Sequence, residues 1–159
     1  MGMIGNYIAI ESDKLEQVKN NELDILDIDT DEYPSLDIDK SWQAIHFLLC
    51  GNIDDGKPPL GNVVPMRDDN WLGAEMDYGA FSITPKEVLE AYNAIKGMGE
   101  DELRQKYNFE SLLENEIYPV VEDEDPDDFF DYTYANFKSI QEFYQIASEN
   151  NYAVIFYVM

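Results

Sequence analysis

The sequence predicts an α+β protein of one domain, in which a small sheet includes the N- and C-terminal strands and packs against several helices. Residues 4–10 and 152–158 are rich in β-branched and aromatic side chains, whereas helical periodicity dominates between them. This separation of strands from helices favours α+β over a regular βαβ alternation. The 159 residues, 45% of them hydrophobic, suit one continuous core, so we expect a single domain over residues 1–159.

A short helix is predicted directly after the N-terminal strand. Ser12 is placed to cap it, and Leu15 and Val18 fall at the spacing of an inward face. The two asparagines at residues 20–21 are typical of a helix end. The helix should therefore cover no more than about two turns.

The acidic alternation at residues 27–32 resembles a calcium loop only at first reading. With Asp27 in the first position, the sixth position holds Glu32 instead of glycine and the twelfth holds Ile38 instead of glutamate. We therefore interpret the run as a solvated, turning segment that closes at Tyr33.

The next helix is predicted over residues 40–50. Asp39 is well placed as its N-cap, and Gly51 is placed to end it in a left-handed conformation. A spacing of three and four residues puts one set of side chains on a single face: Trp42, Ile45, His46 and Leu49. Phe47 and Leu48 widen this face, so the helix should be mostly buried.

Residues 52–79 are predicted to form a long irregular connection, because they are rich in Gly, Pro and Asp. A brief strand over residues 80–83 follows. Thr84-Pro-Lys-Glu87 then combines a capping box with proline at the first helical position, which is a strong helix start. The inner face of this helix is predicted to comprise Val88, Leu89, Tyr92 and Ile95.

Two short helices, over residues 100–107 and 111–116, are predicted next. Pro126 and the acids after it suit the first turn of a long helix that runs to about Glu149. Its predicted inward face comprises Phe130, Tyr134, Phe137, Ile140, Tyr144 and Ala147. Residues 152–158 form a nearly continuous apolar run, which is typical of a central strand.

The charge of the chain restricts its partners. Thirty-four acidic and ten basic residues give a formal net charge of −24, which repels phosphate backbones and anionic lipids. Binding to nucleic acid or to a membrane is therefore not expected. The charge serves solubility alone, or it provides a surface that engages a basic partner or imitates nucleic acid. The sequence leaves these interpretations and the oligomeric state open.

The single cysteine, Cys50, excludes an intramolecular disulfide and suits a reducing compartment, so we expect a cytoplasmic protein. The first ten residues lack the basic flank and the apolar stretch of a secretory signal. No apolar run approaches the length needed to cross a bilayer.

A set of short motifs is distributed over nearly the whole chain: Met1-Gly-Met-Ile-Gly5, Leu36-Asp-Ile-Asp-Lys-Ser-Trp42, Ile45-His-Phe-Leu-Leu49, Gly51, Tyr78-Gly79, Thr84-Pro-Lys-Glu-Val88 and Ile117-Tyr-Pro119. As a set, they resemble those of the YfbM-like family of bacterial proteins, a domain of unknown function. The resemblance implies a compact α+β cytosolic domain without an established activity, and it supplies no catalytic residue. Relatives near polymorphic toxin systems suggest a role as an immunity protein.

His46 and Cys50 lie four residues apart, so a cysteine–histidine nucleophile is one interpretation of the predicted helix. The neighbouring apolar side chains argue against it, because burial raises the pKa of a thiol and catalytic thiolates need a polar setting. We favour a hydrogen-bonded core histidine beside an inert cysteine.

Asp37 and Asp39 flank Ile38 and are placed to hold His46 or a cation. Two carboxylates and one imidazole fall short of a recognisable site, so a cap at Asp39 and a turn at Asp37 are preferred. With one histidine and one cysteine, no metal centre is predicted. No phosphate-binding loop is present either, and no cofactor is predicted.

Two acidic edges are candidate partner-binding surfaces. Residues 122–131 combine seven carboxylates with aromatic groups, and one interpretation is a solvated loop and helix start. The alternative is a docking edge, in which carboxylates would steer a basic partner and an aromatic side chain such as Phe129 would anchor it. The candidates here are Glu122, Asp123, Glu124, Asp125, Asp127, Asp128, Phe129 and Asp131. A second edge would comprise Asp54, Asp55, Asp68, Asp69 and Trp71.

The leading hypothesis is a non-enzymatic module that binds a basic protein, in one form an immunity protein that covers the active site of a basic toxin. The alternative is an enzyme or a small-ligand-binding protein. Its pocket would lie near Asp37, Asp39, His46 and Tyr78.

Overall fold

The computed structural model describes residues 2–53, 56–73 and 78–159. Among them, five strands form one antiparallel sheet in the order β2-β1-β5-β4-β3. The strands are β1 (Gly5–Ile10), β2 (Ser35–Asp37), β3 (Trp71–Gly73), β4 (Ala80–Ile83) and β5 (Ala153–Val158). The N- and C-terminal strands pair at the centre of the sheet, which confirms the predicted α+β domain.

Six α-helices are present in the same ranges: α1 (Ser12–Lys19), α2 (Trp42–Cys50), α3 (Pro85–Ile95), α4 (Glu100–Lys106), α5 (Phe109–Glu114) and α6 (Pro126–Glu149). Three single turns of 3-10 helix add Ile25–Asp27, Leu60–Asn62 and Asp68–Asn70. None of the helices in the described ranges is long and apolar enough to cross a membrane.

The sheet is covered on both faces, since alternate residues of each strand point to opposite sides. Tyr7 and Ala9 of β1 join the larger core with α2, α3 and α6. Ile8 and Ile10 join a smaller core, where Leu15 and Val18 of α1 cover the opposite face. β5 is apolar on both faces because it lies at the centre, as its sequence predicts.

The loop after α2 is irregular, as predicted, but it enters the core. Val63 and Val64 are fully buried. The Tyr7 hydroxyl donates a hydrogen bond to the Val63 carbonyl at 2.5 Å, and the Tyr144 hydroxyl lies 2.9 Å from the carbonyls of both Asn62 and Val63. Burial raises the pKa of both phenols, so they remain donors at ordinary pH.

The predicted N-cap at Asp39 is wrong. α2 begins at Trp42, with Ser41 in the cap position, and Asp39 adopts a positive φ of 52°. The Asp37 carboxylate accepts a hydrogen bond from the Asp39 amide at 2.7 Å, and this local turn competes with helical geometry. Asp39 instead accepts a hydrogen bond from the Tyr132 hydroxyl of α6 at 2.8 Å.

Several smaller expectations also need correction. Glu11 occupies the cap position of α1, and Ser12 is its first residue. Leu89 is exposed on α3, because the buried face of this helix consists of Val88, Ala91 and Ile95. α5 begins two residues early, since the Asn108 side chain caps it by accepting a hydrogen bond from the Ser111 amide.

Candidate functional site

Three of the four residues predicted for a pocket lie at one end of the sheet. Asp37 ends β2, and the carbonyl of Asp39 accepts a hydrogen bond from the Gly5 amide at 2.9 Å. Tyr78 donates its amide proton to the carbonyl of Val158, which pairs with Gly5. All three side chains are exposed, so they lie on the protein surface.

His46 lies elsewhere, fully buried on α2. No hydrogen bond or ion pair joins it to Asp37, Asp39 or Tyr78 within the described parts of the chain. It packs against Gly56 beside the half-buried Cys50, and burial raises the pKa of the Cys50 thiol. The arrangement keeps the thiol protonated and unreactive at neutral pH.

The described carboxylates, histidine and cysteine do not assemble into a metal-binding group of three or more. The predicted candidates Asp54 and Asp55 lie outside the described residues. The acidic surfaces therefore remain as candidate protein-binding surfaces.

The acidic segment, residues 122–131, contains both structural and solvent-facing carboxylates. Asp125 caps α6, because its carboxylate accepts hydrogen bonds from the amides of Asp127 at 2.9 Å and Asp128 at 3.1 Å. The predicted anchor Phe129 is only 3% exposed and packs with Leu112 in a small core cluster. It cannot serve as an exposed anchor, because the 3.6-residue period of α6 directs it inward.

Arg104 partly neutralises the acidic segment. Its guanidinium lies 4.1 Å from the centre of the Phe130 ring and 3.6–3.8 Å from the carboxylates of Glu100, Asp127 and Asp131. Nearby, the Tyr107 hydroxyl donates to the Pro126 carbonyl at 2.7 Å, and burial raises the pKa of Tyr107 to about 12. These contacts fix the start of α6 and leave Glu122, Asp123 and Glu124 directed to solvent.

An apolar groove of about 630 Å³ adjoins the acidic segment. We call it the 113–122 groove; its lining includes Leu113, Ile117, Pro119, Val120 and Val121, with Glu116 and Glu122. Val121 is 55% exposed in it. The Tyr118 amide donates to the Gln43 side chain at 2.6 Å and thereby fastens the groove to α2.

The 113–122 groove was not predicted from the sequence. The available signal was the apolar pair Val120 and Val121, which stands between Pro119 and a dense run of carboxylates. An apolar pair in such a setting has no helical or strand periodicity to explain it.

The second acidic edge borders another concave site, a cavity of about 430 Å³ that we call the Trp71 pocket. Asp68 and Asp69 are exposed, and Trp71 is 51% exposed. Arg67 forms an ion pair with Asp69 at 2.9 Å. The structure therefore brings Asp69 and Trp71 together, as expected for one surface, but adds basic groups to it.

Comparisons with known proteins agree on one family. A family model described as a domain of unknown function, DUF1877, matches residues 1–157. Protein YfbM of Escherichia coli (strain K12) is 31% identical over 134 residues, which are 76% of this chain and 75% of YfbM. The crystal structure of YfbM, a protein of unknown function, superposes with a TM-score of 0.75 at 23% identity and covers 99% of this chain and 100% of YfbM. The chain is similar to YfbM in sequence and fold, and it belongs to the DUF1877 family, a family of unknown function.

Proposed function

We propose that this protein is a non-enzymatic binding module that docks a basic protein partner on the 113–122 groove and the adjoining acidic segment. One observation carries the proposal: an exposed apolar groove is bordered by Glu116 and Glu122 and continues into a run of solvent-facing carboxylates. An apolar surface rimmed by charge is typical of protein interaction sites.

The two parts of this surface would act differently. Burial of Val121 and its apolar neighbours in the groove would supply most of the affinity, since the carboxylates are exposed and well solvated. The carboxylates would attract a basic partner at long range and orient it on approach. The partner should therefore present an apolar side chain surrounded by lysine or arginine.

An immunity protein that covers a basic toxin is the specific form of this proposal, and it would act in the cytoplasm. The exposure of Asp37, Asp39 and Tyr78, with His46 buried apart from them, gives no support to the alternative of an enzyme pocket at these residues.

The test uses the purified protein as bait in an extract of its native host, together with the products of the neighbouring genes. The same substitution is made at two exposed apolar residues. Val121→Arg lies in the groove, and Leu26→Arg is the control, because Leu26 is 60% exposed and lies outside the groove. We expect the wild-type protein and Leu26→Arg to retain the same basic protein in about 50 mM salt. Val121→Arg should lose it, because the substitution fills the groove and places positive charge against a basic partner.

High salt should also weaken the complex, because the Debye length shortens to about 3 Å in about 1 M salt. The proposal fails if no basic protein is retained, or if Val121→Arg binds as well as Leu26→Arg. Equal binding would mean that the acidic field alone attracts basic proteins and that the groove takes no part.

A further inference from the structure

Two basic side chains line the Trp71 pocket, together with the carboxylates of Asp69 and Glu87. Only ten lysines and arginines oppose thirty-four acidic residues, yet Lys19 and Arg67 both line this one cavity. The Arg67 side chain is 19% exposed, so the surrounding atoms hold it in place. A cation retained in a partly buried cavity of an acidic protein needs a negative partner there.

Asp69 is an incomplete partner for Arg67. Its side chain is 80% exposed, and it meets one terminal nitrogen of the guanidinium at 2.9 Å. Exposed ion pairs of this kind contribute little net stability, and a guanidinium has five donors. A ligand anion can therefore bind the remaining donors or take the place of the Asp69 carboxylate.

The other carboxylate of the pocket, Glu87, is already engaged. One of its oxygens accepts hydrogen bonds from the amide and the hydroxyl of Thr84, both at 3.0 Å. The other lies 3.4 Å from the side-chain nitrogen of Asn62. Its charge lies at the N-terminus of α3, where the helix dipole favours a negative group, and within the described part of the chain it forms no ion pair with Arg67 or Lys19.

Lys19 provides a second, movable donor. Its ammonium lies 3.6 Å from Glu16 on the same helix and its side chain is about half exposed, so it is free to turn toward a ligand. Ser82 adds a hydroxyl to the pocket wall. Arg67 and Lys19 therefore both offer donors that a ligand anion can use.

Trp71 supplies a flat apolar wall at the edge of the same cavity. Its ring packs edge-on against Phe81 at a centroid distance of 5.5 Å, and it lies so close to Gly79 that a Cβ there would come within 2.6 Å of the indole. These contacts fix the ring in place while half of the residue stays exposed. A planar ligand group can pack on it without any rearrangement.

We propose that the Trp71 pocket binds a small organic anion, whose carboxylate or phosphate is held by Arg67 and Lys19 and whose planar group lies against Trp71. The net charge of −24 does not prevent this, because charges beyond about 8 Å are largely screened at physiological salt. The site shares no lining residue with the 113–122 groove, so the two proposals can be tested separately.

The test follows the two indole N–H signals of the ¹⁵N-labelled protein by NMR. Trp42 is buried and donates to the Met3 carbonyl at 2.9 Å, so it serves as an internal control for Trp71. The probes are phenyl phosphate and benzoate, with benzyl alcohol as the neutral ring and inorganic phosphate as the anion without a ring. We expect a saturable shift of the Trp71 signal with one or both aromatic anions, at least tenfold weaker binding of the other two probes, and no shift of Trp42.

Two matched pairs of variants identify the binding groups. Arg67→Gln should weaken binding of the better aromatic anion at least tenfold, whereas Arg104→Gln should not. Asp69→Asn should strengthen binding because it releases Arg67, and Asp68→Asn, which removes the same charge next to it, should have a smaller effect. Equal binding of benzyl alcohol, no saturable shift of Trp71, or equal effects of Asp69→Asn and Asp68→Asn would overturn the proposal.

Discussion

In the loop after α2, the backbone of Gly61 lies directly against the backbone of Gly56. A Cβ at this position would overlap the carbonyl group of Gly56, which cannot move away as a flexible side chain would. We expect Gly61→Ala to lower the free energy of unfolding by about 1–3 kcal/mol, the usual cost of overpacking. Urea unfolding measures this change in the free energy of unfolding.

Gly97→Ala is the matched control, since a Cβ there would meet no atom within 4 Å. Its effect should stay within about 0.5 kcal/mol. If Gly61→Ala lowers the free energy of unfolding no more than Gly97→Ala does, the loop backbone at Gly61 can move away from Gly56 to make room for the methyl group.

The hydrogen bond between Tyr33 and Glu11 should make stability depend on pH. The Tyr33 hydroxyl donates to the Glu11 carboxylate at 2.6 Å and thereby lowers the pKa of Glu11. The stabilisation is therefore complete above the unfolded pKa of about 4.3 and is lost as the pH falls through the lower folded value. Tyr33→Phe should be destabilised at pH 7, and its difference from wild type should shrink toward pH 3.

Urea unfolding at several pH values measures this difference. Tyr78→Phe removes a hydroxyl from an exposed tyrosine and should leave stability unchanged at every pH. A destabilisation of Tyr33→Phe that stays constant from pH 7 to pH 3 would mean that the hydroxyl acts without the Glu11 charge.

At the scale of elements, the start of α6 depends on one carboxylate. Asp125 accepts two backbone hydrogen bonds at the helix N-terminus, at 2.9 and 3.1 Å. Asp125→Ala should lower the free energy of unfolding by about 1 kcal/mol. Asp123→Ala removes an equal charge from an exposed position just outside the helix and should have almost no effect on stability. Thermal unfolding measures both variants, and an equal loss of stability in the two would contradict the role of Asp125 as the cap.

The elements differ in how well their sequences predict them. α3 and α6 have strong caps and long apolar stripes, and both were predicted closely. β2 and β3 were not predicted, because a strand of three residues is too short to show the alternation of apolar and polar side chains that indicates a strand. Asp39 was assigned as a cap because its type fits, but hydrogen bonds to Asp37 and Tyr132 decide its conformation.

At the scale of the whole molecule, the net charge of −24 should make stability sensitive to salt. Repulsion among surface carboxylates destabilises the compact state and is screened as the Debye length falls from about 30 Å in 0.01 M salt to about 8 Å in 0.15 M. We expect the melting temperature at pH 7 to rise by about 2–4 °C over this range, equivalent to about 1 kcal/mol. Near pH 4.1, the isoelectric point, the rise should disappear.

Scanning calorimetry at the two salt concentrations measures this effect, and equimolar changes in a neutral osmolyte provide the control. A melting temperature that is unchanged by salt at pH 7 would mean that local ion pairs, such as those of Arg104, already balance the repulsion.

The sequence by itself determined the α+β class, the presence of both terminal strands in the sheet, the two best-capped helices and the acidic character, because periodicity, capping and charge are local properties of the chain. Only the tertiary structure decided which acidic residues face solvent, that Phe129 is buried while Val121 is exposed, and that Lys19, Arg67 and Trp71 share a cavity. Lys19 is distant in sequence from Arg67 and Trp71, and the packing of helices on the sheet brings the three together. The Trp71 pocket thus depends on packing that no local pattern encodes, whereas the 113–122 groove is built from one contiguous segment.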